Sequence, residues 1–280
     1  GKLLKQTGTP WEDEMEMHRW YIAAFLTLTI CLPVVADDGK EAAEKEVELA
    51  LSLTPDLEKG RELYRICAVC HTPEGWGTTT GYYPQIAGQL NTVIIKQLAD
   101  IRARNRDNPT MFPFSMPSAL GGAQEMANVA AYIENLPMSP VNDVGPGFNL
   151  ALGEKLYLRE CAECHGERGE GDRKEHIPLL QGQHYNYLMR QFNWIRIGKR
   201  RNADKKMVDQ IQRFTGREIS AMMDYISRVQ PPAEKLAAAD WRNPDFPNYA
   251  RRSMPLQMRG PEAPRRPQPP EPPPRPAWLK

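Results

Sequence analysis

Several stretches of the chain place apolar residues at helical spacing, and they come in pairs. In "YNYLMRQFNWIR" (185–196), Tyr185, Leu188, Phe192 and Ile195 recur every three or four positions, the pattern of an amphipathic helix with one face in a core. "TVIIKQLADIR" (92–102) carries the same kind of pattern in the first half. Short helices are predicted in "GRELYRIC" (60–67) and "GEKLYLREC" (153–161). A closing helix is predicted in "EMANVAAYI" (125–133) and again in "EISAMMDYI" (218–226). Met126, Met222 and Met223 fall on these closing helices and are expected in the core.

The pairing is systematic. An offset of 94 lays Cys161 on Cys67, His165 on His71, Pro178 on Pro84, Gly182 on Gly88, Gln183 on Gln89, Gln191 on Gln97, Ile195 on Ile101 and Arg196 on Arg102. Farther on an offset of 93 lays Glu218 on Glu125, Tyr225 on Tyr132 and Ile226 on Ile133. The chain is read as a tandem duplication, each copy about the size of a small domain.

Each copy holds one Cys-x-x-Cys-His motif, "CAVCH" at 67–71 and "CAECH" at 161–165. A Cys-x-x-Cys pair alone suits a redox couple or half a zinc site, but a histidine directly behind the second cysteine points to covalent c-type haem attachment. Two thiols on one helical turn reach the two vinyl groups at a porphyrin edge, and His71 or His165 then supplies an axial nitrogen. A zinc site shared between the two pairs gives no reason for the rest of the copy to repeat.

The cysteine count agrees. Of five cysteines, Cys67, Cys70, Cys161 and Cys164 lie in the motifs and only Cys31 does not. Residues 18–36, "HRWYIAAFLTLTICLPVVA", have the basic start, apolar run and small-residue end of a secretory signal peptide, with cleavage expected after Ala36. Lipid attachment at Cys31 is disfavoured by the bulky Ile30 before it. Residues 1–16 are read as upstream sequence, with Met15 or Met17 the expected start. Removal of the signal leaves every cysteine in a haem motif and places the protein in the periplasm, where a membrane enters only peripherally or through an uncleaved signal anchor.

A high-potential c-type haem usually carries a methionine as sixth ligand. In the second copy the candidate is Met207, ahead of the last helix; His176 and His184 are read as surface or helix-start residues. In the first copy the candidate is Met111, since "RN" at 104–105 precedes it by nearly the interval that separates "RN" at 201–202 from Met207. Met116 is the alternative.

Two Cys-x-x-Cys-His motifs, each followed by Pro-x-x-x-Gly-Gln (Pro84 to Gln89, Pro178 to Gln183), a Gln-bearing helix, a methionine loop and an Ala-Tyr-Ile-type final helix, resemble the dihaem cytochrome c4 family over roughly residues 57–230. The resemblance implies an all-α fold of two class I cytochrome c lobes related by a pseudo-twofold axis, with the haem propionates facing the interface. It also implies that the carbonyls of Pro84 and Pro178 accept hydrogen bonds from the proximal histidines. The cofactors are then two covalently attached haem c groups, with Cys67, Cys70, Cys161 and Cys164 in thioether links and His71, His165, Met207 and either Met111 or Met116 on the irons, the first methionine loop being irregular against the family pattern. Thr72 departs from the pattern, standing where the second copy has Gly166.

The expected organisation is upstream residues and signal peptide at 1–36, an acidic segment at 37–56, cytochrome domains at 57–140 and 141–230, and a Pro/Arg-rich irregular tail at 231–280. Residues 37–62 hold nine acidic and four basic residues, whereas 251–280 hold seven basic and two acidic among runs such as "RRPQPPEPPPRP", a composition for polyproline II rather than a packed core. With 36 basic and 35 acidic residues overall, nothing points to nucleic acid. The expected function is electron transfer without catalysis, between periplasmic redox proteins such as a quinol-oxidising complex, a dehydrogenase or a terminal oxidase. The alternatives are the cytochrome subunit of a flavocytochrome sulfide dehydrogenase, with a flavoprotein partner, or a dihaem enzyme such as a thiosulfate dehydrogenase or a peroxidase.

Overall fold

The structure is a computed structural model that describes residues 35–249, with side chains from residue 39. The expected signal peptide up to Val34, Cys31 and the proline-rich run after 250 lie outside the described residues, while Val35 and Ala36, the last residues before the expected cleavage point, begin the first described helix. Among those described, the architecture is helical, with isolated bridges at Met138–Leu236 and Asp172–Ile177 in place of strands. No described helix is long and apolar enough to cross a membrane.

The first lobe contains α1 (Val35–Ser52), α2 (Leu57–His71), α3 (Asn91–Arg102), the single turns α4 (Phe112–Ser115) and α5 (Pro117–Leu120), and α6 (Ala123–Asn135). The second contains α7 (Leu150–Glu160), α8 (Ala162–His165), α9 (Tyr185–Arg196), α10 (Lys205–Ile211) and α11 (Gly216–Arg228). Helix starts follow from side-chain caps. Asp56 accepts from the N–H groups of Glu58 and Lys59, at 2.9 and 3.1 Å, and opens α2. Thr215 and Glu218 form a reciprocal capping box that opens α11.

The core of each lobe is a helix crossing, α2 on α6 and α7 on α11. Both crossings are made at a glycine: a Cβ on Gly60 would stand 2.2 Å from the carbonyl oxygen of Asn128, and one on Gly153 would stand 2.0 Å from that of Ala221. Beside the contact, Tyr64 meets Tyr132 and Tyr157 meets Tyr225, with ring centroids 5.2 and 5.7 Å apart. The second core gathers Leu156, Tyr157, Leu188, Phe192, Ile195, Ile219, Met222 and Ile226, each large apolar side chain contributing about 1.5–3 kcal/mol by burial. Met126, Met222 and Met223 are buried as expected.

Two features go beyond the sequence reading. The acidic stretch folds as α1, which buries Ala43, Val47 and Ala50 and packs on α3 and α6. After α11 the chain returns to the first lobe: Met138 N–H donates to the Lys235 carbonyl at 2.7 Å, Ala237 N–H to the Met138 carbonyl at 2.8 Å, and Trp241 lies 5.8 Å from Trp76, centroid to centroid. The segment from 231 to 242, counted with the tail on composition, is thus paired with the folded lobe. Among the described residues, those from Asn243 to Tyr249 belong to a second unit, in which Phe246 and Tyr249 meet edge to face.

Candidate functional site

Both histidine motifs sit where a helix ends against a loop, and both are held alike. Tyr64 donates its hydroxyl to the Thr72 carbonyl at 2.8 Å, and Tyr157 donates to the Gly166 carbonyl at 2.9 Å. Thr72 and Gly166 both have positive φ, 68° and 82°, so the first copy places a β-branched residue where the second places the glycine that the turn favours. Past this turn the chain doubles back, and His71 Nδ1 lies 3.0 Å from the Pro84 carbonyl while His165 Nδ1 lies 3.1 Å from that of Pro178. A carbonyl only accepts, so Nδ1 carries the proton in both rings and Nε2 keeps its lone pair for a metal. Burial holds both imidazoles below their ordinary pKa, which keeps them in the neutral, ligating form.

In the first lobe, Cys67, Cys70 and His71 form one wall of a cavity and Met111 lies in the same lining, with Leu98, Ile101, Val129 and Ile133 supplying apolar surface. Met116, the other candidate, caps the short turn α5 and is not part of this lining. Burial pushes the thiols of Cys67 and Cys161 up to about 12, as expected of sulfur atoms enclosed by apolar surface. In the second lobe Cys161, Ala162 and Met207 pack against the same apolar core. Met207 is not in a loop as the sequence suggested. It lies in α10, because Asp204 accepts from the N–H groups of Lys206 and Met207 and starts a short helix there. The first lobe thus offers two thiols, an imidazole with a free Nε2 and a thioether around one cavity, and the second carries the same residue types, with Cys161 and Met207 against its core, a donor set that fits covalently bound haem.

Arg102 anchors the first methionine segment. Its Nε donates to the Ser115 carbonyl at 2.6 Å and one terminal nitrogen to the Gly121 carbonyl at 2.8 Å, while the other pairs with Glu46 of α1. The stretch that follows Met111 is therefore tied to α3 at two carbonyls, and the arginine that ties it is itself paired with α1 through Glu46.

The lobes meet through a cluster built on the repeated glutamines. Gln97 Oε1 accepts from Arg106 at 2.8 Å, Arg200 at 3.1 Å and Asn202 at 3.1 Å; Gln191 Oε1 accepts from Arg106 and Arg200, both at 3.0 Å. Both guanidinium groups line the cavity. A cationic end to an otherwise apolar enclosure suits a group that carries carboxylates at one edge.

His184 was read from sequence as a surface or helix-start residue. It does precede α9, but it is 2% exposed. Its Nδ1 accepts from the Asp143 N–H at 3.1 Å, so Nε2–H donates to the Trp76 carbonyl in the other lobe at 2.7 Å. His176, in turn, is half-buried at φ 55°, in a turn rather than at a helix start. Spacing gave no signal for the bridging role of His184, because its partners are backbone atoms distant in sequence.

Burial lowers the His184 pKa below its ordinary 6.5. The ring is then neutral in the folded protein while the unfolded chain takes up a proton, so its contribution to stability is complete above pH 6.5 and falls as pH drops below that value toward the lower folded pKa. Denaturant titrations between pH 7.5 and 5 should show His184→Gln losing less stability on acidification than the parent protein. Equal slopes would remove His184 from the acid response.

The family model for cytochrome c matches residues 57–137 and again 150–230. A cytochrome c4 from Thiocapsa roseopersicina is 31% identical over 200 residues, covering 68% of this chain and 97% of that protein. A thiosulfate dehydrogenase electron acceptor from Stutzerimonas stutzeri (strain A1501) is 31% identical over 200 residues, covering 65% of this chain and 91% of its own length. The crystal structure of reduced recombinant cytochrome c4 from Pseudomonas stutzeri superposes with a TM-score of 0.56 at 26% identity, covering 63% of this chain and all of that one.

Proposed function

We propose that this chain, which belongs to the cytochrome c family in two tandem copies and is a dihaem, cytochrome c4-like electron carrier, works in the periplasm as the electron acceptor of a dehydrogenase. The observation that carries the reading is the duplicated donor set: Cys67, Cys70, His71 and Met111 in one lobe, Cys161, Cys164, His165 and Met207 in the other. When bound, each haem supplies a one-electron couple.

The chain's own residues do the rest. Cys67, Cys70, Cys161 and Cys164 fix the porphyrins covalently. His71 and His165, oriented by the Pro84 and Pro178 carbonyls, present Nε2 from a fixed direction. Met111 and Met207 would supply the thioether ligands, and a ligand set kept in both oxidation states would leave little reorganisation to accompany electron movement. Arg106 and Arg200, which line the cavity, would offset the charge of haem carboxylates there. With a histidine and a methionine available to each haem, the chain would leave no open iron for substrate, which favours a carrier over a dihaem enzyme.

The dehydrogenase partner is supported by relatives named as thiosulfate dehydrogenase electron acceptors. Oxidised holoprotein mixed with thiosulfate alone should stay oxidised, and adding a thiosulfate dehydrogenase should reduce both haems. Reduction by thiosulfate without the second enzyme would make this chain the enzyme itself and overturn the proposal.

A further inference from the structure

The glutamine that ends each Pro-x-x-x-Gly-Gln segment serves the other lobe. Gln183 accepts from the Gln85 N–H at 3.1 Å through Oε1 and donates Nε2 to the Gln85 carbonyl at 2.8 Å. Gln89 treats Leu179 in the same way, accepting from its N–H at 3.0 Å and donating to its carbonyl at 3.0 Å. Leu179 is the counterpart of Gln85 under the offset of 94, so the two clamps are one contact repeated about the pseudo-twofold axis.

The atoms involved give the contact a function. The Gln85 N–H belongs to the Pro84–Gln85 peptide group, whose carbonyl oxygen accepts from His71 Nδ1. The Leu179 N–H belongs to the Pro178–Leu179 peptide group, whose carbonyl accepts from His165 Nδ1. Each of these amides is therefore bonded at both ends, to the histidine of its own lobe through oxygen and to the glutamine of the opposite lobe through nitrogen.

We propose that Gln183 and Gln89 are crossed positioning residues, each setting the basicity of the proximal histidine in the lobe it does not belong to. An acceptor on an amide N–H polarises the amide and makes its carbonyl oxygen more negative. That oxygen then pulls harder on Nδ1–H, and the imidazole becomes more electron-rich at Nε2, which favours ferric iron. Gln85 and Gln183 are 3% and 7% exposed, so water does not compete for the bonds between them. The Gln85 side chain also holds its own backbone in place, donating to the Gly182 carbonyl at 2.8 Å and accepting from Ser139 N–H at 2.8 Å. The path from one lobe to the iron of the other is thus three hydrogen-bonded groups long and needs no movement of the lobes.

The proposal rests on the reading of His71 and His165 as axial ligands. Its test is the pair of variants Gln183→Leu and Gln89→Leu in the full-length holoprotein, with the two midpoint potentials assigned to their lobes by NMR. Removing the acceptor should weaken polarisation by a tenth to a third of one hydrogen bond, about a two- to fivefold shift of one haem's reduction equilibrium toward the ferrous form. Gln183→Leu should shift the first haem and leave the second in place, and Gln89→Leu should do the reverse. The Nδ1–H resonance of the histidine in the opposite lobe should move with it.

A shift confined to the lobe that carries the substitution, an equal shift in both haems, or no shift would overturn the proposal. General loosening of the interface produces the equal shift, not the crossed one. Gln89 is only half-buried, so Gln89→Leu tests the crossing even if Gln183→Leu fails to fold. Strongly shifted imidazole resonances assigned to His71 and His165 in the parent holoprotein test the underlying reading separately. Their presence without crossed shifts would sink the inference alone, and their absence would sink the ligand reading.

Discussion

Gly153→Ala should destabilise the second lobe by about 3 kcal/mol or more, the upper end of what overpacking costs. The added methyl would lie 2.0 Å from the Ala221 carbonyl oxygen, a backbone atom of α11 that cannot rotate away as a side chain can. Alanine gains about 1 kcal/mol over glycine in helix propensity, too little to offset a forced separation of α7 and α11. The separation would also disturb Tyr157, which packs against Tyr225 and donates to the Gly166 carbonyl beside His165. Guanidinium titration of the holoprotein checks this, and a loss below about 1 kcal/mol would mean that the crossing relaxes at little cost.

Met207→Ala carries the largest expected functional effect. Met207 is partly buried against the second core, on which Cys161 and Ala162 also pack, and lies near the start of α10. Its removal should leave the second haem without the methionine that the reading assigns to it. His/Met ligation raises haem potential, and axial ligation sets potentials over about 0.8 V, so the second haem should fall by a sizeable part of that range. The far-red band of methionine-ligated ferric haem should drop to about half, with the first haem unchanged. Full retention of the band would remove Met207 from the ligand set.

What the sequence made legible was local. Helices α2, α3, α6, α7, α9 and α11 carried their period, and the two Cys-x-x-Cys-His motifs declared their chemistry through spacing alone. Helix α1 was missed because its buried face is made of Ala43, Val47 and Ala50, a thin apolar stripe among charges. The short α10 was missed because one cap, Asp204, starts it rather than any periodicity. Partners between lobes could not be read at all. The repeat marked Gln89, Gln97, Gln183 and Gln191 as equivalent pairs, but whether a glutamine bonds within its own copy or across the axis depends on how the copies dock. The same holds for His184, whose ring bonds to backbone atoms distant in sequence.

The central claim is that two haems, each held by histidine and methionine, make this chain a carrier with no open iron. A redox titration of the purified holoprotein, followed by its visible spectrum and by exposure of the reduced form to carbon monoxide, tests it most directly. Two high-potential transitions, a far-red band for both ferric haems and no carbon monoxide adduct are the expected result. A low-potential haem without that band, or a ferrous haem that binds carbon monoxide readily, would contradict it.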